Sequence, residues 1–173
     1  MSCFVTVGST QFDALIATVC SNEAIGALRK RGISSMVIQT GAGQYRPPGC
    51  QQSDVTAVLH GISVHFYRFK DDILEDMQNA DIIVGHAGAG TCLEALRLSK
   101  IAFIVINEDL MGNHQRELAE RLAALDHIVC TTAAKLVKIL ETADVSRLKP
   151  FVPCDLSNVV RYINRTLGIV DNS

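Results

Sequence analysis

Between Asp81 and Glu94 the chain reads DIIVGHAGAGTCLE, and the residue types in that stretch suit the capture of a phosphorylated ligand. Gly88 and Gly90 carry no Cβ, so the turn Gly88-Ala89-Gly90 lets backbone N–H groups approach an anion closely. Thr91 then opens a helical pattern that runs to Leu98, and the N-terminal end of a helix carries partial positive charge. His86 stands where the strand meets the turn, and an imidazole there can exchange a proton near neutral pH. Glu94 lies one turn into the helix, where its carboxylate can accept hydrogen bonds from the vicinal hydroxyls of a sugar while the amides hold phosphate. A solvated helix carboxylate is the plainer explanation of Glu94, and its position after G-x-G-T argues against it. Taken together these groups describe a nucleotide site.

Such a site needs a scaffold, and the rest of the chain supplies one. Short apolar runs at Cys3–Val7, Ser35–Thr40, Ile62–Phe66, Asp81–Val84, Ile101–Ile106 and His127–Cys130 read as strands. Between them, Phe12, Leu15, Ile16 and Val19, then Ile25 and Leu28, Ile73, Leu74 and Met77, Leu118 and Leu122, and Leu136 and Leu140 recur at helical spacing. Alternating strands and helices predict an α/β fold, a Rossmann-like doubly wound parallel sheet whose ligand crevice lies outside the C-terminal strand ends. Glycine-rich or polar segments sit at those ends: Gly8-Ser9-Thr10, Gly41-Ala42-Gly43, His86–Thr91 and Asn107–Gln115. Gly41-Ala42-Gly43 reads as a tight turn. Asn113 has equal claims as a helix cap and as a ligand contact. Residues 44–61 contain Pro47-Pro48-Gly49 and predict a long surface loop with at most one short strand, at 55–59.

Composition narrows the function classes. The 173 residues are 48% hydrophobic, enough for one domain spanning 1–173, and the formal charge is −2 with no Lys/Arg run interleaved with aromatics, so nucleic acid is not the expected partner. No apolar run approaches the ~20 residues of a membrane helix. Met1–Val7 has no basic leader and runs straight into a strand, so a cytoplasmic chain without a signal peptide is expected. The six cysteines form no C-x-x-C pair and read as reduced thiols; no metal and no cofactor is expected. Pro150 and Pro153 precede a last amphipathic pattern at Leu156, Val159, Val160, Ile163 and Leu167.

Three segments, FVTVGST, HAGAGTCLEAL and VINEDLMGNHQRELAERL, resemble in order the short eukaryotic catalytic subunit of the UDP-N-acetylglucosamine transferase that adds the second sugar to dolichol-pyrophosphate-N-acetylglucosamine. That family is similar to the C-terminal, donor-binding half of the bacterial enzyme that makes the lipid-linked peptidoglycan precursor, a B-type glycosyltransferase. The resemblance implies that the chain binds UDP-N-acetylglucosamine for the second step of N-glycan precursor assembly. It also implies a separate membrane-anchored subunit that holds the lipid-linked acceptor and recruits the chain to the cytosolic face of the endoplasmic reticulum. Carried over by position, it puts the diphosphate near Gly8, Ser9 and Thr10 and near Gly88, Ala89, Gly90 and Thr91, with Glu94 on the ribose. His114 and Gln115 match a glutamine pair that contacts the donor sugar, His114 being a departure from it. The C-terminal region, 155–173, is the expected docking element for the partner. No residue of the chain stands out as catalytic base: His86 is a candidate, and the partner half is the expected source.

Two other functions fit parts of the pattern. GAGTCLE is similar to the G-G-x-G-T-x-x-E motif of nucleoside-monophosphate phosphoribohydrolases, with Ala95 where their second acid stands. A non-catalytic scaffold that binds a nucleotide sugar is the other. A dinucleotide oxidoreductase is disfavoured, because neither glycine pair continues to the third glycine of G-x-G-x-x-G.

Overall fold

The computed structural model describes residues 1–47, 54–109 and 113–152, without the side chains of Asn113 and His114. Residues 48–53 of the expected surface loop and the expected C-terminal helix at 155–173 lie outside the described residues.

Seven strands form one sheet: β1 (Ser2–Thr6), β2 (Ser35–Gln39), β3 (Val55–Leu59), β4 (Ile62–Tyr67), β5 (Ile82–His86), β6 (Ile101–Ile106) and β7 (Val129–Thr132), in the order β3-β4-β2-β1-β5-β6-β7. All neighbours pair in parallel except β3 and β4. Leaving out β3, the parallel strands run third, second, first, fourth, fifth, sixth, the dinucleotide-fold order, and it reverses between β1 and β5. The crevice outside their C-terminal ends is the switch point.

Helices cover both faces: α1 (Asp13–Val19), α2 (Asn22–Lys30), α3 (Leu74–Asn79), α4 (Ala89–Arg97), α5 (Asn113–Ala124) and α6 (Leu136–Thr142), with a 3-10 turn at Ala133–Lys135. Strand residues alternate between faces, so each strand divides its side chains between two cores. Cys3, Val5, Ile82, Val84, Phe103 and Val105 join Leu15, Ile16, Ile25, Leu28 and Leu136 in one core. Phe4, Ile83, Ala102 and Ile104 join Met77, Cys92, Ala95 and Leu122 in the other. Burial on both faces explains why these strands read as continuous apolar runs in the sequence.

Local signals set the helix ends. The Ser21 hydroxyl accepts the Ala24 N–H at 3.1 Å and restarts the chain as α2. Gly32, at φ +86°, ends it, with the Ile33 N–H returning to Leu28 O at 3.1 Å. The Asp72 carboxylate accepts the Leu74 N–H at 2.8 Å at the start of α3. Arg31 does more than cap. Its guanidinium donates to the Leu140 and Ala143 carbonyls at the end of α6 and lies 5.4 Å over the Phe103 ring, tying α2 to α6.

One feature departs from the wholly parallel expectation. The short strand inside the 44–61 loop is an antiparallel edge, folded back on β4 through His60 (φ +46°) and Gly61 (φ +87°). Positive φ at both central residues matches the twist that a two-residue hairpin requires. No helix among the described residues is long and apolar enough to cross a membrane.

Candidate functional site

The β1 end is organised by Thr6. Its buried hydroxyl donates to Gln39 Oε1 at 2.5 Å and accepts the Gly8 N–H at 2.9 Å, bending the chain out of the sheet. Gly8 then takes φ +60°, which glycine adopts without a Cβ penalty. The Thr10 N–H and hydroxyl both donate to Val7 O, at 3.2 and 2.7 Å. Two of the three amides expected to face phosphate therefore have partners inside the turn. Ser9, exposed, keeps a free N–H among the described residues.

The β5 end is built the opposite way. Gly88 is the N-cap of α4, no side chain caps it, and the first amide to find a partner is that of Cys92, 3.0 Å from Gly88 O. Among the described residues the N–H groups of Ala89, Gly90 and Thr91 have no partner, as the first amides of an uncapped helix do not. A Cβ on Gly90 would meet nothing within 4 Å. Gly85 allows close approach: a Cβ there would lie 2.6 Å from Thr91 Cγ2, so the helix start sits directly on the strand end.

His86 links the two turns. A Cβ on Gly8 would come 2.9 Å from its Cε1, and one on Gly88 would come 2.3 Å from its Nε2, so the ring fits only because both neighbours are glycine. The residue is 8% exposed and, among the described residues, its buried Nδ1 has no hydrogen-bond partner. Burial pushes the imidazole below its ordinary value of 6.5, with the Thr6 backbone pulling the other way. At neutral pH the ring is uncharged.

Glu94 lines a cleft of about 320 Å³ with Gly90, Thr91, Asp72, Ile73, Leu74 and Met77. Its side chain is 33% exposed and Oε2 lies 3.6 Å from Arg97 Nη1. The cleft therefore combines the start of α4 and the Glu94 carboxylate with Asp72 and the aliphatic side chains of Ile73, Leu74 and Met77 at the start of α3. The α3 residues were not marked by the sequence, because Ile73, Leu74 and Met77 read there as an ordinary helix face turned to the core.

The connection after β6 reaches the same edge. Asn107 Nδ2 donates to Gln11 O at 3.4 Å, and these two segments border a second cleft of about 320 Å³ with Asp13 and Asp109. Gln115 is half-buried in the first turn of α5; the side chains of Asn113 and His114 lie outside the described residues. Ala95 is wholly buried in the core, so no carboxylate stands where a phosphoribohydrolase has its second acid. No cluster of His, Cys, Asp or Glu among the described residues has metal-binding form. Burial pushes the Cys3 thiol up to about 12 and raises Cys92 and Cys130 as well, as in inert core cysteines.

A doubly wound sheet with its crevice at the switch point, and a helix start with a carboxylate one turn in at that edge, is the architecture of the C-terminal domain of B-type glycosyltransferases. Residues 2–153 match the glycosyltransferase family 28 C-terminal domain. The UDP-N-acetylglucosamine transferase subunit ALG13 of Yarrowia lipolytica is 32% identical over 148 residues, 85% of this chain and 73% of that protein. The mouse protein of the same name is 41% identical over 133 residues, 77% of this chain, and the chain spans only 11% of that protein's length. An NMR solution structure of ALG13 superimposes with a TM-score of 0.67 at 25% identity, covering 96% of each chain. Acinetobacter baumannii MurG shares the fold, with a TM-score of 0.57 at 20% identity over 96% of this chain and 42% of that one. The chain belongs to the glycosyltransferase family 28 C-terminal domain family, and its fold is that of the C-terminal half of a B-type glycosyltransferase.

Proposed function

We propose that this chain is the donor-binding subunit of an N-acetylglucosaminyltransferase, holding UDP-N-acetylglucosamine for transfer to dolichol-pyrophosphate-N-acetylglucosamine. The observation that carries this reading is the cleft in which the open amides of α4 and the Glu94 carboxylate share one space. The diphosphate sits on the N–H groups of Ala89, Gly90 and Thr91 and on the free Ser9 N–H. Glu94 takes the ribose hydroxyls, and the uracil lies against Ile73, Leu74 and Met77. The amino sugar points toward Asn113, His114 and Gln115 at the start of α5. The names of the relatives support the donor assignment, since each is called a UDP-N-acetylglucosamine transferase subunit.

In the reaction the acceptor 4-hydroxyl oxygen attacks the sugar C1 as the bond from C1 to the UDP oxygen breaks. Charge grows on the departing diphosphate, and the helix N-terminus already aimed at it stabilises that charge. The hydroxyl proton goes to a base on a second, membrane-anchored chain, which also holds the lipid acceptor and keeps the pair at the cytosolic face of the endoplasmic reticulum. His86 is a poor base for the acceptor because its ring is wedged between the Gly8 and Gly88 turns, on the diphosphate side. Residues 155–173 dock that partner.

Calorimetric titration of the full chain tests the donor assignment. UDP-N-acetylglucosamine binds, AMP does not, and Glu94→Gln weakens the nucleotide sugar by roughly tenfold or more, the loss of charged hydrogen bonds to the ribose. Equal affinity for AMP and the uridine nucleotide would remove the reading.

A further inference from the structure

The two turns that flank the crevice present amides but no side-chain cation. Segments 7–12, 86–94 and 107–115 contain neither Lys nor Arg. A nucleoside diphosphate sugar nevertheless brings two negative charges to this spot, and three helix amides with the α4 dipole offset only part of them. His86 is the ionisable group wedged between those two turns, in contact range of both Gly8 and Gly88.

Resting on the donor assignment above, we propose that His86 takes up a proton from solvent when the diphosphate binds, so that donor binding and protonation of this side chain are linked. The geometry supports it. The ring lies between the turns that hold the phosphates, it is more than nine-tenths buried, and Nδ1 has no hydrogen-bond partner among the described residues. Burial disfavours the charged ring. The carboxylates on the flanking segments do not offset that burial: Glu94 faces Arg97 at 3.6 Å, Glu108 faces Arg116 at 3.7 Å, and Asp109 is exposed at the end of the β6 connection. His114 is the other histidine on these segments. A dianion beside a buried imidazole favours the charged form, and by reciprocity the charged imidazole favours the dianion. The proton comes from buffer and goes to the imidazole; no bond of the ligand changes.

The sign follows directly. Protonation is unfavourable in the free chain and favourable in the complex, so affinity rises as pH falls from the bound-state value toward the free-state value. Between those values the dissociation constant for UDP-N-acetylglucosamine, whose diphosphate has no ionisation near neutrality, rises with pH by up to about tenfold per unit. Titrating UDP-N-acetylglucosamine into the full chain near pH 7, in two buffers of unlike ionisation enthalpy, reads the proton count directly. Uptake of ~0.5 to 1 proton per donor bound is expected from the wild type, and none from His86→Asn. Because that variant disturbs a tightly packed ring and can misfold, the histidine NMR signals of the wild type give an independent reading. The His86 resonance shifts to its protonated position when the nucleotide sugar is added, while that of His114 does not follow it. Binding without proton uptake, or uptake that survives in His86→Asn, overturns the inference and leaves the donor assignment standing. Failure of UDP-N-acetylglucosamine to bind at all, to the chain alone or paired with its acceptor-binding half, overturns both.

Discussion

The tripeptide Gly-Ala-Gly occurs twice, at 41–43 after β2 and at 88–90 after β5, and the two copies have opposite physical reasons to exist. In the first, protein atoms fill every space. A Cβ on Gly41 would lie 2.4 Å from Thr10 O, and one on Gly43 would lie 2.2 Å from Asp13 Oδ1. The amides are used as well. The Gly41 N–H donates to Arg68 O at 3.1 Å and the Ala42 N–H to Thr10 O at 3.1 Å, while Asp13 accepts the N–H groups of Gln44 and Tyr45 at 3.1 and 3.0 Å. In the second copy Gly90 is exposed and, among the described residues, nothing lies near its missing Cβ and the first three helix amides have no protein partner. One copy is glycine so that the protein can close on itself. In the other, Gly88 makes way for the His86 ring, and Gly90 leaves room for something that is not protein.

Substituting the first copy gives the largest expected effect. Gly41 combines φ +59° with the near contacts to Thr10 O, to Gly8 O at 2.8 Å and to Val7 Cγ2 at 2.8 Å. Backbone atoms cannot swing aside as side-chain ends do, so Gly41→Ala destabilises the fold by about 3 kcal/mol, from left-handed strain plus the clash. Urea denaturation measures it. A loss below about 1 kcal/mol would mean that the turn relaxes easily and that the contrast with the second copy is overdrawn.

The second copy gives a smaller change of opposite sign. Gly90 lies inside α4 and its substitution meets no atom, so Gly90→Ala raises stability by roughly 0.5–1 kcal/mol through helix propensity. The same methyl projects into the cleft lined by Glu94 and Thr91, so UDP-N-acetylglucosamine binds less tightly, by about tenfold if the methyl keeps phosphate from the amides. Stability up with binding down is the signature of a position kept as glycine for a ligand. Stability up with binding unchanged would make the second copy merely an uncapped helix end.

The contrast between the copies is invisible in the sequence, where both read Gly-Ala-Gly after an apolar run. Strand and helix placement was legible because burial on both faces leaves continuous apolar runs at Cys3–Val7 and Ile101–Ile106 and a clear helical period around Leu15 and Ile16. The crevice was legible for the same reason, since alternating elements leave polar turns at the carboxyl ends of the strands. Which amides remain free was not. That depends on the Thr6 hydroxyl reaching Gly8 N–H and on Thr10 bonding back to Val7, contacts between residues that read as strand and turn in their own right. The edge strand β3 was half-seen: His60-Gly61 makes the same pair of positive φ angles as the commoner Asn-Gly hairpin turn, without the asparagine that announces it. The aliphatic wall from α3 was hidden because side chains that line a cleft and side chains that fill a core share one composition.

Asp13 gives the smallest effect and the sharpest test of how the first copy is held. Its carboxylate accepts both the Gln44 and Tyr45 N–H groups and the Gln11 side-chain amide at 3.0 Å. Although partial burial opposes ionisation, these hydrogen bonds and the nearby Arg46 prevail, and the carboxyl titrates below its ordinary 3.8. A carboxylate whose folded value is depressed contributes stability that is complete above the unfolded value, about 3.9, and is lost as pH falls through the folded one. Asp13→Asn keeps the shape but removes the charge and turns one of the two accepting oxygens into an NH2 donor, so only one oxygen is left for the N–H groups of Gln44 and Tyr45. Its effect at neutral pH is below about 1 kcal/mol, because the site is partly open to solvent. Urea unfolding at a series of pH values shows the difference between wild type and variant constant from neutrality to about pH 5, then narrowing as acid neutralises Asp13 in the wild type. A difference that stays constant into strong acid would show that the loss of an acceptor oxygen, and not the loss of the charge, sets it.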